Sequence, residues 1–127
     1  MAGYVANIEE LTHQNAYFRQ VLFTAPHCQL VVMALLPGQD IGLETHPDVD
    51  QFLRIESGSG TVILNGQESP ISDGFAIVVP AGTAHNVINT SATDSMKLYT
   101  IYSPPEHRDG TIHKTKEDAL SDTTDHP

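Results

Sequence analysis

Turn-forming residues recur through this chain at short intervals, and they limit what can lie between them. Pro37-Gly38, Pro47-Asp48, Glu56-Ser57-Gly58, Asn65-Gly66, Ser72-Asp73-Gly74 and Pro80-Ala81-Gly82 each interrupt an extended, apolar-rich stretch. Glycine and asparagine tolerate positive φ, and proline fixes φ and removes a backbone donor, so such clusters end regular structure. The intervening stretches are about as long as a strand and too short for most helices. Residues 18–23 (FRQVLF), 29–36 (QLVVMALL), 51–55, 61–64, 75–79, 85–89 and 96–102 all read this way. By composition alone, residues 29–36 could also form a buried helix. Their length, and the Pro37-Gly38 pair directly after them, favour a strand. Asn65-Gly66 is a type I′ hairpin signal, because both positions accept positive φ. The expectation is an all-β sandwich or small β-barrel.

The ends of the chain are less patterned. Residues 7–14 can hold one short helical turn. Pro104-Pro105 stops the sheet pattern, and from about residue 104 a polar C-terminal tail begins. In that tail, residues 116–120 can form a helical turn and residues 121–127 are expected to fray. With 127 residues and no repeat or linker, the reading is a single domain over 1–127. A barrel of this size is marginal alone, so a homodimer is expected.

Charge and composition exclude several function classes. The 16 acidic residues against 6 basic ones argue against nucleic acid and against anionic membrane surfaces as partners. No apolar run approaches a membrane helix, and MAGYVANIEEL lacks the charged and apolar regions of a signal peptide, so a cytoplasmic location is expected. Cys28 is the sole cysteine; it cannot form an internal disulfide and reads as a semi-buried thiol.

Two segments carry residues that suit a metal. Glu44 and His46 are two apart on an extended piece and share a face. Gln51 lies beyond the Pro47-Asp48 turn and can return to that face, and His85 must arrive from a distant segment. Imidazole nitrogens with a carboxylate oxygen suit a divalent transition metal: Mn, Fe, Ni, Co, Zn or Cu. With one cysteine, a thiolate-rich zinc site is excluded.

On these residues the chain resembles the cupins. The first cupin motif is glycine, five residues, His, any residue, His, three or four residues, Glu, six residues, glycine. Here Gly38 is followed by five residues, Glu44, Thr45, His46, four residues, Gln51, six residues and Gly58. The second motif is glycine, five residues, proline, any residue, glycine, two residues, His, three residues, Asn. Gly74, Pro80, Gly82, His85 and Asn89 meet every fixed position. The resemblance implies a double-stranded β-helix, or jelly roll, of the small conserved-barrel type. It also implies a metal set of Glu44, His46, Gln51 and His85, with one or two positions left for water or substrate. Glu stands where the family has His, and Gln where it has Glu, so a carboxylate is kept but moved.

Other residues bear on the same site. Asp48 and Asp50 flank the turn and can orient a ligand histidine, or shape the turn itself. Asn86 and Asn89 can bond the turn backbone. Phe52, next to Gln51 and so pointing away from it, suggests core or dimer packing. Phe75, Tyr99 and Tyr102 can line the cavity or fill the core, since alternation does not say which face is inward. Arg19 and Arg54 can meet a substrate carboxylate or phosphate, or a nearby acid. His107 and His113 can close over the barrel mouth as a general acid or base. The candidates for a catalytic role are therefore His107, His113, Tyr99 and Arg54.

The resemblance extends to small proteins likened to the phosphomannose isomerase cupin domain. It implies a metal-dependent enzyme acting on a small polar or sugar-like molecule, as an isomerase or epimerase, or as a dioxygenase if the metal is iron or copper. A non-catalytic cupin binding a metal or small ligand, and a metal-free structural protein, are the alternatives.

Overall fold

A computed structural model describes residues 2–125. A short helix, α1 (Ile8–Gln14), is capped by Asn7, whose side chain accepts from the Glu10 amide. Eight strands follow: β1 (Arg19–Thr24), β2 (Gln29–Leu35), β3 (Asp50–Ser57), β4 (Ser59–Leu64), β5 (Gln67–Ser72), β6 (Ala76–Val79), β7 (His85–Asn89) and β8 (Met96–Ser103). The tail adds β9 (Ile112–His113) and the helix α2 (Lys116–Ser121), which opens on a Thr115/Asp118 capping box.

The strands form two antiparallel sheets, ordered β6-β3-β8-β2-β1-β9 and β5-β4-β7. One apolar cluster joins them, with Val31, Met33, Leu35, Leu53, Ile55 and Leu98 from the larger sheet and Val62, Ile71 and Val87 from the smaller. The sheets approach closely at Gly60 of β4, where a Cβ would lie 2.8 Å from Met96 Cε of β8. The β4–β5 hairpin turns at Asn65 (φ 49°) and Gly66 (φ 82°), as the Asn-Gly pair requires. This is an all-β sandwich, as the turn spacing predicts, in the jelly-roll form that the cupin resemblance implies. Among the described residues, no helix is long and apolar enough to cross a membrane.

Strand alternation now has a direction. Met96, Leu98, Thr100 and Tyr102 of β8 are buried, while Lys97, Tyr99 and Ile101 are only partly so. Across the large sheet, register aligns Gln29, Tyr102 and Gln51 on one inward row. That row is polar, whereas the rows through Leu53 and Ile55 are mainly apolar. The candidate site lies on the polar row.

The tail differs from the expectation of a frayed end. Its β9 pairs with β1, and Asp125 is buried. His126 and Pro127, also expected to fray, lie outside the described residues. Cys28 is exposed rather than semi-buried, at a turn in which the Ala25 amide donates to the Cys28 carbonyl. Phe52 is not in the core; it lies on the outer face with Tyr99, ring centroids 6.3 Å apart.

Candidate metal centre

Glu44 and His85 are neighbours because residues 39–44 run along β7 as an irregular extra edge. Glu44 and His85 exchange both backbone hydrogen bonds at 2.9 Å, and the Ile41 amide donates to the Val87 carbonyl at 3.0 Å. The His46 carbonyl then accepts from the Gly82 amide at 2.8 Å, fastening the first segment to the corner before His85. Asp50 reinforces that corner, its Oδ1 accepting from the Ala81 amide at 2.8 Å. Asn86 and Asn89 also have backbone roles: Asn86 accepts from the Gly42 amide, and Asn89 donates to the Leu35, Leu36 and Asp94 carbonyls.

The His46 ring sits between two carboxylates. Its Nε2 is 3.2 Å from Glu44 Oε2, and its Nδ1 is 3.2 Å from Glu106 Oε1. Burial works against charge on this ring, but Glu106 and Glu44 outweigh it and raise the His46 pKa to about 9. Burial likewise opposes ionisation of Glu44, yet the hydrogen bond and charge of His46, with help from Arg19 and His85, hold its pKa below the usual value. The His46 and His85 rings lie 5.2 Å apart. His85 Nδ1 is 2.9 Å from the Thr83 carbonyl oxygen. A carbonyl only accepts, so Nδ1 carries the proton and, in the neutral ring, Nε2 keeps its lone pair.

Gln51 faces inward from β3, on the row it shares with Tyr102. It is 4% exposed, and its Nε2 donates to Thr100 Oγ1 at 3.0 Å. Its Oε1 is buried with no hydrogen-bond partner. Tyr102, paired with Gln51 in the sheet, stands nearly perpendicular to the rings of both His46 and His107, at centroid distances of 6.0 and 4.9 Å. Burial raises the Tyr102 pKa well above its ordinary value.

The tail reaches this site through Gln29, a fully buried residue at the start of β2. Gln29 Nε2 donates to the His107 carbonyl at 2.8 Å, and its Oε1 accepts from the His107 amide at 3.0 Å and the Glu106 amide at 3.3 Å. One side chain therefore holds the backbone that carries Glu106. His107 Nδ1 is 2.7 Å from Asp125 Oδ2, and His113 bridges Arg19 to Asp122. Beside these lies a cavity of about 330 Å³, lined by Glu44, Arg19, His107, Lys116 and Asp125 among others.

Of the catalytic candidates, His107 lies in the cavity wall, and His113 is buried behind Arg19. Tyr99 and Arg54 are not brought to the site. They are partners on adjacent strands, out of phase with buried Leu53 and Thr100, and Arg54 forms an ion pair with Glu56 at 3.3 Å. Phe75 is 47% exposed and neither lines this cavity nor fills the core. Glu106, Gln29 and Asp125 were not foreseen. For Gln29 the structure shows an inward position in phase with Val31, Met33 and Leu35, but the run after it is apolar on both faces, so alternation gives no signal. Glu106 follows a proline pair in a polar tail and carries none either.

Comparison with known proteins bears on the same segments. The family model for the Cupin domain (Cupin_2) matches residues 31–102, which include both ligand segments. The chain belongs to the cupin family. Two relatives, both described as uncharacterized, are YrkC of Bacillus subtilis (strain 168) and L612 of Acanthamoeba polyphaga mimivirus. This cupin is 52% identical to YrkC over 124 residues, covering 93% of this chain and 66% of that one. It is 50% identical to L612 over 113 residues, covering 86% and 70%. It thus spans about two thirds of the length of these relatives. The crystal structure of BH2720 from Bacillus halodurans superposes with a TM-score of 0.93 at 44% identity, covering 95% of this chain and 96% of that one. Arg19, Glu106, His107 and Asp125 lie outside the matched cupin segment.

The residues of this cupin fit a divalent ion in part. The Glu44–His46 pair has ligand spacing. Glu44, His46 and His85 do not bring their ligand atoms all within 4.8 Å of one another, so His85 would have to move closer to join them. Two donor atoms about 2.1 Å from one ion and about 100° apart lie about 3.2 Å from each other. Glu44 Oε2 and His46 Nε2 have that spacing. The Glu106–His46 contact places a carboxylate on the ring nitrogen away from Glu44, as in carboxylate–histidine–metal triads. In the neutral ring His85 Nε2 keeps its lone pair, and Gln51 Oε1 is a buried acceptor lacking a donor. A second group, His113, Asp122 and Asp125, has ligand atoms all within 4.8 Å of one another. Both His113 nitrogens are already used there, by Arg19 and Asp122, so that group reads as a clasp on the tail.

Proposed function

We propose that this cupin holds one divalent transition-metal ion through Glu44, His46 and His85, with Gln51 Oε1 facing the ion directly or through water, and that it acts on a small polar molecule in the adjoining cavity. The observation that carries this reading is His46 standing 3.2 Å from Glu44 on one ring nitrogen and 3.2 Å from Glu106 on the other. A carboxylate on the ring nitrogen opposite the ligating one is the arrangement a metal-binding imidazole needs.

A bound ion would act as a Lewis acid on a substrate oxygen, as an isomerase or epimerase requires, or would activate oxygen if it were iron or copper. Glu106 fixes the orientation of the His46 ring. Tyr102 and Thr100 close the inner wall, and His107, held by Asp125, borders the cavity as the acid–base candidate.

The test is elemental analysis of protein purified without added metal, compared with a His46→Ala, His85→Ala double variant. Near-stoichiometric metal in the wild type and its loss in the variant are expected. Equal, near-zero occupancy in both would sink the reading. Oxygen uptake across candidate substrates then separates dioxygenase from isomerase chemistry, and turnover of none would favour a non-catalytic binding protein.

A further inference from the structure

Arg19 is the most heavily buried cation in the neighbourhood of the site. It is 5% exposed and projects inward from β1. A guanidinium keeps its charge at any physiological pH and offers five donors. Arg19 uses one of them, Nη1, which is 3.3 Å from His113 Nδ1. Its Nε is buried with no partner. Among the described residues, no carboxylate comes within 4.0 Å of it. Buried charges are ordinarily paired, because desolvation is otherwise uncompensated.

The guanidinium is nevertheless held in place. Its Cζ stands 5.2 Å from the centroid of the Phe18 ring. Because arginine only donates, His113 Nδ1 accepts, and His113 Nε2 carries the proton to Asp122 Oδ2 at 2.9 Å. The tail thus orients a cation to which, among the described residues, it brings no carboxylate in direct contact; Asp125 acts on it only from a distance. Arg19 also lines the 330 Å³ cavity, together with Glu44.

We infer that Arg19 is the anchor for the carboxylate of a small organic acid, whose remaining atoms extend along the cavity toward Glu44. A guanidinium pairs with a planar carboxylate in a bidentate fork. The charge of the cavity wall favours a monoanion over a phosphate dianion. Lys116 is already paired with Asp40, and Glu44 and Asp125 add negative charge that acts on Arg19, so a dianion would meet more repulsion here than a monoanion. The cavity volume is at the low end of the range for small-molecule sites, which suits a metabolite-sized acid. This names the substrate class for the proposed enzyme, and it rests on that reading for the assumption that Glu44 marks the reacting centre; the anion site itself needs no metal.

The experiment uses the metal-free full chain, so its outcome is separate from that of the metal analysis. The ¹⁵N–¹H signal of the Arg19 Nε is assigned by its loss in Arg19→Gln and followed during titration with glycolate, lactate and gluconate. Neutral methyl lactate and inorganic phosphate are the controls. The expected result is a saturable shift with at least one carboxylate and none with the methyl ester. Arg19→Gln is expected to bind that acid roughly tenfold more weakly or worse, read by calorimetry. If that variant fails to fold, the wild-type titration alone decides. No saturable shift with any carboxylate, an equal shift with the neutral ester, or a response to phosphate alone would each overturn the inference.

Discussion

Glu106 Oε1 lies 3.2 Å from His46 Nδ1, so the C-terminal tail supplies a carboxylate to a histidine of the first cupin motif. A partner on the distal nitrogen sets the tautomer and raises the basicity of the ligating one.

Glu106→Gln keeps an acceptor oxygen but removes the charge. Its metal affinity is expected to fall about 10- to 100-fold, with the fold intact. Competition against a chromophoric chelator measures this. Unchanged affinity would mean that Glu106 serves the metal-free state only.

Gln29→Leu tests how the tail is held. The substitution strips partners from the His107 amide and carbonyl and from the Glu106 amide. A stability loss of about 2–4 kcal/mol is expected from urea unfolding, since buried backbone groups are left unmatched. Because the Glu106 backbone loosens, metal affinity should fall as well. A loss of stability with full affinity would show that Glu106 is positioned by other contacts.

Acid should release the tail. The hydrogen bond from His113, with those from Thr124, lowers the Asp122 pKa from 3.8 to about 2. Burial opposes ionisation of Asp125, but the hydrogen bond and charge of His107 prevail and depress its pKa. Groups with depressed folded pKa values stabilise the docked tail above the unfolded value near 4 and stop doing so as pH falls toward 2. Pepsin cleavage within the tail should therefore accelerate through that window. Asp122→Asn and Asp125→Asn should each start with a looser tail and show a shallower acid dependence.

Much of this was legible in local sequence, and the limits have a physical cause. Turn chemistry at Asn65-Gly66 and the proline corner before His85 act over a few residues, so strand boundaries could be read directly. Glu44 and His46 share a face by their spacing alone. The contacts of Gln29 with His107 and of Arg19 with His113 instead span 78 and 94 residues of chain, and no local pattern encodes such pairings. Tyr99 and Tyr102 show a different limit. Alternation places them on opposite faces, but only the packed sheet makes Tyr102 the inward one.

Gln51 offers the sharpest test, because its Oε1 is buried without a donor while its Nε2 is held by Thr100. Gln51→Glu puts a carboxylate at that position. Without metal, the new charge is buried and poorly paired, so the apo protein should lose stability, by about 1–3 kcal/mol. With metal, the same charge becomes a stronger oxygen ligand, so affinity should rise and the metal-induced increase in Tm should exceed that of the wild type. Gln51→Leu should do the reverse: the apo protein keeps its stability or gains some, because an unsatisfied acceptor is gone, and the ion is held less tightly. Thermal melts of all three proteins, with and without metal, give both quantities. Opposite signs in the apo and metal-loaded series would identify Gln51 as facing the ion, whereas parallel shifts would make it a core residue whose orphaned oxygen has no metal role.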